Sequence, residues 1–93
     1  MDSTWKFDQP RKCAVITLSG IIWRSEPVLY VSHNEIGWQF LDGRTPRIAE
    51  AMVVTFEEMI THDPTLNELH DLPVGWIATR AKLGGAWKKM PHP

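Results

Sequence analysis

The stretch His33-Asn34-Glu35-Ile36-Gly37-Trp38-Gln39-Phe40-Leu41-Asp42-Gly43 decides the fold. A polar turn at Asn34-Glu35 runs into Gly37, a strand of alternating character follows, and Asp42-Gly43 stops it. Alternation sends Trp38 and Phe40 to one face and Gln39 and Leu41 to the other, as a half-buried strand requires. Burying two neighbouring aromatics contributes on the order of a few kcal/mol, a large share of a small domain's stability. The strand is therefore expected to be the one to which earlier strands lead and which later helices cover.

Upstream, Val28-Leu29-Tyr30-Val31-Ser32 is apolar on both faces, which predicts a central strand, antiparallel to its successor across the turn. Glu26-Pro27 punctuates the chain before it, because Pro removes a donor and biases its predecessor toward extended conformations. Residues 13–18, Cys-Ala-Val-Ile-Thr-Leu, are rich in strand formers and end at Ser19-Gly20. Ile21-Ile22-Trp23 fits either a strand or a single helical turn. Residues 1–12 are polar apart from Trp5 and Phe7, with Pro10 as a breaker, and read as a tail or an edge segment.

Downstream, residues 42–47 form a loop by composition, and Ala51-Met52-Val53-Val54 a short strand. Thr55-Phe56-Glu57-Glu58 has the capping-box form, with Thr55 as N-cap and Glu58 at N3. Phe56, Met59 and Ile60 then define one buried stripe of a helix ending at Thr61-His62. Asp63-Pro64 starts a second helix, since Asp caps well and Pro is tolerated at N1. Leu66 and Leu69 give it an apolar side, and Leu72-Pro73 stops it. Residues 74–81 and 86–90 read as a terminal strand pair, with Gly84-Gly85 as a tight hairpin turn. The fold class is α+β: a mainly antiparallel sheet of five or six strands, with two short helices inserted before a C-terminal hairpin. Residues 13–90 form a single domain, 1–12 the N-terminal segment, and 91–93 a frayed C-terminus.

Ninety-three residues leave room for one core, and 43% hydrophobic with 23% charged residues is ordinary for a globular chain. A formal net charge of −1 supplies no general attraction to nucleic acid or an anionic membrane. Arg80-Ala81-Lys82 and Trp87-Lys88-Lys89 set basic residues beside an aromatic, yet the balanced charge argues against a nucleic-acid footprint. The single cysteine, Cys13, allows no internal disulfide and suits a reducing compartment. No apolar h-region follows Met1 and no apolar run approaches the roughly 18 residues of a membrane span, so a cytoplasmic protein is expected.

No catalytic motif emerges. His62-Asp63 and His70-Asp71 are His-Asp pairs eight residues apart, but Pro64 breaks the helix that would align them, and no tight ligand cluster accompanies them. Asp63 reads as a cap, and His62 and His70 as cations suited to helix ends. Cys13 opens a strand, where a small buried hydrophobe is the usual fate. Gly84-Gly85 lacks the Gly-Lys-Ser/Thr ending of a phosphate loop. The expectation is a protein without metal, cofactor or catalytic residues. Its alternative is a small metal- or ligand-binding domain or enzyme using His33, His62 or His70, and a general interaction module is a further one.

The order Tyr30-Val31-Ser32-His33, Gly37-Trp38-Gln39-Phe40, Gly43, Asp63-Pro64, Leu72-Pro73-Val74-Gly75-Trp76, Arg80 and Trp87 resembles a bacterial family. Its members are domain-of-unknown-function proteins grouped with the immunity proteins of polymorphic toxin systems. The resemblance runs from about Cys13 to Lys89 and implies a small protein that binds and blocks a cognate toxin domain. Relatives carry acidic residues after the glycine matching Gly43, whereas this chain has Arg44-Thr45-Pro46-Arg47. Gly37, Gly43 and Gly75 fit turns, and Trp38, Phe40 and Trp76 fit a core. A partner surface is thus expected in the loops, at His33, Asn34, Glu35, Asp42, Arg44 and Arg47.

Overall fold

The β2–β3 hairpin, Tyr30–Asn34 and Gly37–Leu41, is the centre of the sheet in a computed structural model that describes residues 5–44 and 50–93. Its strands pair antiparallel from Tyr30↔Leu41 to Asn34↔Gly37, leaving Glu35 and Ile36 as a two-residue loop. Asn34 Oδ1 accepts from the backbone N–H groups of Ile36 at 2.9 Å and Gly37 at 3.2 Å. This is the local bond by which Asn favours turns. Gly37 takes φ +146°, a region open to a residue without Cβ.

Strand β1, Ala14–Leu18, is followed by a single helical turn, α1, at Ser19–Trp23, which settles the open reading of Ile21-Ile22-Trp23 as helix. The chain passes β3's place in the sheet to form β2, and the hairpin returns β3 into the gap beside β1. The β1–β3 pair is therefore parallel, and every other pair is antiparallel. With β4 (Ala51–Thr55), β5 (Trp76–Thr79) and β6 (Lys88–Pro91), the six-stranded order is β4-β1-β3-β2-β5-β6. The α+β class with a mostly antiparallel sheet is the one expected.

The capping box forms at α2, Phe56–His62: Thr55 Oγ1 accepts from Glu58 N at 3.1 Å, and the Glu58 carboxylate reaches back to Thr55. Phe56, Met59 and Ile60 are all buried. The second helix, Pro64–Leu69, is a 3-10 helix, with bonds such as Leu66 N to Asp63 O (3.1 Å) and His70 N to Asn67 O (3.2 Å). Asp63 caps it by accepting from Thr65 N at 3.1 Å. Both helices cover one face of the sheet. Phe56 lies against Trp38 and Phe40, with ring centroids 5.5 and 5.9 Å away.

Residues 5–12 join no strand. Phe7 is instead buried in the core, 4.5 Å from Phe56 and 5.4 Å from Trp38 between ring centroids. Trp5 packs on Phe56 at 5.3 Å and donates to the Gln9 carbonyl at 2.7 Å. The terminal hairpin also differs from expectation. Thr79 pairs with Lys88, so an eight-residue connection joins the strands rather than a tight Gly84-Gly85 turn. The Arg80 side chain turns into the interior, where the Trp87 ring covers it at 4.2 Å. The Arg80 backbone N–H donates to the Leu29 carbonyl at 3.1 Å, next to the Tyr30–Thr79 pair. The chain beyond β6 is also tied down, since His92 N–H donates to the Gly75 carbonyl at 2.8 Å.

Candidate functional site

Strand alternation leaves a second face opposite the helices. On β2 the core takes Val31 and His33, so Tyr30, Ser32 and Asn34 point the other way, and on β3 Gln39 and Leu41 do the same. These side chains floor a groove of about 780 Å³, within the range of ligand-binding clefts. Across it, Tyr30 is paired with Leu41 and Ser32 with Gln39. Gly43 and Arg44 bound one end, and Asn34, Glu35, Val74, Gly75 and His92 the other. Gly75 builds that second end through its backbone, at φ +88°: its N–H donates to the His33 carbonyl at 2.7 Å, and its carbonyl holds His92.

The floor is chemically open. Among the described residues, no protein group hydrogen-bonds the side chains of Tyr30, Ser32 or Gln39. Ser32 and Gln39 together offer a hydroxyl and a primary amide, able both to donate and to accept. Tyr30 and Leu41 add apolar area beside them.

The loop residues expected to meet a partner divide among different roles. Glu35 and Arg44 are exposed and line opposite ends of the groove. Asn34 also lines it, with its carbonyl oxygen committed to the turn. Asp42 stands outside the lining and accepts from Arg44 N at 3.0 Å, which fixes the loop that carries Arg44. Arg47 falls outside the described residues.

His33 is only 8% exposed and stacks on Trp38, with ring centroids 4.1 Å apart. Its Nδ1 lies 2.7 Å from the Leu72 carbonyl, which can only accept, so Nδ1 carries the proton. Nε2 then faces the Gln9 amide nitrogen at 3.5 Å, and the Gln9 Oε1 accepts from Trp38 Nε1 at 3.2 Å. The ring ties the N-terminal segment to the hairpin and to the loop before β5. His62 and His70 are exposed at the ends of their helices. Among the described residues, no group of three or more His, Cys, Asp and Glu side chains could hold a metal ion. Nor is any described helix long and apolar enough to cross a membrane.

One cluster escaped the sequence reading. Arg80, read as part of a basic surface, is 7% exposed and hydrogen-bonded at each side-chain nitrogen: Nη2 donates to Asp63 Oδ2 at 3.0 Å, Nη1 to Thr65 Oγ1 at 3.0 Å, and Nε to the Val28 carbonyl at 2.9 Å. Periodicity carries no signal for such a pairing, because a charge at a strand end ordinarily faces solvent. Exposed ion pairs lie elsewhere. Glu57 is held below the usual carboxylate range by the hydrogen bond from Arg11 at 2.7 Å and next by Lys12. Asp71 is lowered chiefly by Lys89 at 2.8 Å.

Ile36, at the hairpin tip next to Glu35, is 95% exposed, and Val74 on the groove's rim is 56% exposed. Two large aliphatic side chains thus stand in solvent at the Glu35 end. Comparison with family models, with curated proteins and with solved structures gives no match.

Proposed function

We propose that the protein is a non-catalytic binding protein that holds a protein partner at the Glu35 end of its open sheet face. Following the resemblance to immunity proteins, the partner is a toxin domain that binding would occlude. One observation carries the reading: the groove with an unpartnered polar floor runs up to the exposed Ile36 and Val74. Aliphatic groups exposed beside satisfiable polar groups are the composition of an interface centre with a polar rim. The two-residue turn and the Gly75 bonds hold this end of the site in place, so little ordering entropy would be lost on binding.

Affinity capture from a lysate of the source organism, read by mass spectrometry, tests the reading. The wild-type chain should retain one stoichiometric partner with a toxin-like domain. The double variant Ile36→Asp/Val74→Asp should lose it while melting at an unchanged temperature, because both side chains are exposed. A housekeeping partner would replace the immunity role with that of an adaptor. Undiminished capture by the folded double variant would remove this surface from the proposal.

A further inference from the structure

The two edges of the sheet are finished differently. Strand β6 presents Lys88, Lys89 and Pro91, all exposed, and such residues keep an edge from pairing with another chain. Strand β4, Ala-Met-Val-Val-Thr, carries no charge and no proline, and Val53 at its centre is 61% exposed. Among the described residues β4 pairs with β1 alone.

The phase of that ladder shows which backbone groups of β4 are unused. Phe56 N–H donates to the Cys13 carbonyl at 2.8 Å, one step beyond the Ala14–Thr55 pair. Bonded and non-bonded pairs alternate in an antiparallel ladder, so Val54 and Met52 exchange bonds with Val15 and Thr17. Ala51, Val53 and Thr55 therefore turn their N–H and C=O groups away from β1. Thr55 is already committed: its N–H meets Glu58 Oε1 at 3.4 Å, and its carbonyl, at the N-cap, begins the bonds of α2. Ala51 and Val53 each keep one donor and one acceptor for the open edge.

We propose that β4 pairs antiparallel with β4 of a second copy, about a twofold axis at Met52, joining the two sheets into one. Ala51 then lies opposite Val53 of the second copy and exchanges both bonds with it, and the axis repeats the pair on the other side of Met52. Every unused group of Ala51 and Val53 on both strands is satisfied. The neighbouring register, with Val53 on the axis, would set Ala51 against Thr55, whose donor is spent on Glu58. A longer foreign strand would gain nothing at Thr55 for the same reason, whereas a second copy matches the unused groups one for one. Side chains agree with this register. Small Ala51 faces Val53 on one side of the sheet, and on the other Met52, which packs against the core, meets its own copy. A strand without charge meets itself without repulsion, while two β6 edges would set lysine against lysine. Strand β4 contributes no residue to the groove, so the dimer does not depend on the function proposed for that face.

Sedimentation equilibrium of the full chain from about 1 μM to about 1 mM should show monomer passing to dimer. Val53→Lys brings ammonium groups together beside the axis and should weaken association by about tenfold or more. Its melting temperature in dilute solution should match the wild type, because the side chain it replaces is exposed. Oxidative crosslinking in a Cys13→Ser background reads the register. Met52→Cys should form a linked dimer, since a non-bonded antiparallel pair sets the Cα atoms about 4.5 Å apart, within disulfide reach. Val53→Cys, off the axis, should link about tenfold more slowly. If Val53→Lys melts lower than the wild type, the two crosslinking rates decide alone. A wild-type chain that stays monomeric throughout would overturn the proposal. So would association untouched by a folded Val53→Lys, or faster linking at residue 53 than at residue 52.

Discussion

The interior pair formed by Arg80 and Asp63 should be among the most sensitive points of the structure. The Arg80 side chain is fully buried and the Asp63 side chain is 10% exposed. Arg80→Met keeps the aliphatic volume but leaves Asp63 Oδ2 unpaired and the Val28 carbonyl bare. Asp63→Asn keeps an oxygen to cap the 3-10 helix and leaves a buried guanidinium without its counterion. Breaking a buried pair from either side costs about 3–5 kcal/mol, mostly as the penalty on the charge that remains. A chain of this length has about 5–14 kcal/mol in total, so either variant would lose a large part of it. The double variant strands neither charge and should be more stable than the sum of the single losses predicts, by about 2 kcal/mol. Urea unfolding followed by far-ultraviolet circular dichroism gives the four free energies, provided the slope with denaturant is common to all. Single losses below about 1 kcal/mol, or losses that add to within about 0.5 kcal/mol, would show that the two groups do not stabilise each other as described.

Two further expectations concern the N-terminal segment. Phe7→Ala should cost about 3–5 kcal/mol, as for an aromatic removed from a core, whereas an unattached tail would tolerate it within about 0.5 kcal/mol. Denaturant titration decides between them. The Glu57 ion pairs with Arg11 and Lys12 fasten the same segment to α2, and the folded state holds this carboxyl below its usual range. Their stabilisation is therefore present above the unfolded carboxyl's pKa, about 4.3, and is lost as pH falls through the lower folded value. The urea midpoint of Glu57→Gln should approach that of the wild type below about pH 4 and lie beneath it near neutrality. A difference that does not change with pH would contradict this assignment.

Local chemistry was readable wherever a few adjacent residues settle it. Asn34 and Gly37 specify their turn, Thr55 and Glu58 their capping box, and the alternation through Trp38 and Phe40 its buried face. Long-range choices were not. Strand order depends on which neighbour each strand finds, and the insertion of β3 between β1 and β2 leaves no trace in either strand's periodicity. Phe7 has only Trp5 as an apolar neighbour in a polar segment, a pattern that suits an edge segment or a tail as well as a core residue. The eight-residue connection between β5 and β6 begins at Arg80, whose interior acceptors, Asp63, Thr65 and the Val28 carbonyl, are all distant in sequence.

The open face shows the same division. The strand expected at Val28–Ser32 forms two residues later, as Tyr30–Asn34, and is central as expected, with β3 on one side and β5 on the other. Its outward residues are nonetheless Tyr30, Ser32 and Asn34, more polar than a strand covered on both faces needs. That departure is the physical trace of the groove, since a sheet face intended for a second layer of this chain's own core would be aliphatic. The expected loop residues then fall into place by what they touch. His33 and Asp42 spend their side chains on internal bonds, while Glu35 and Arg44 remain available at opposite ends. A site assembled this way needs both a strand pair and the loops at its two ends, and only the folded sheet brings them together.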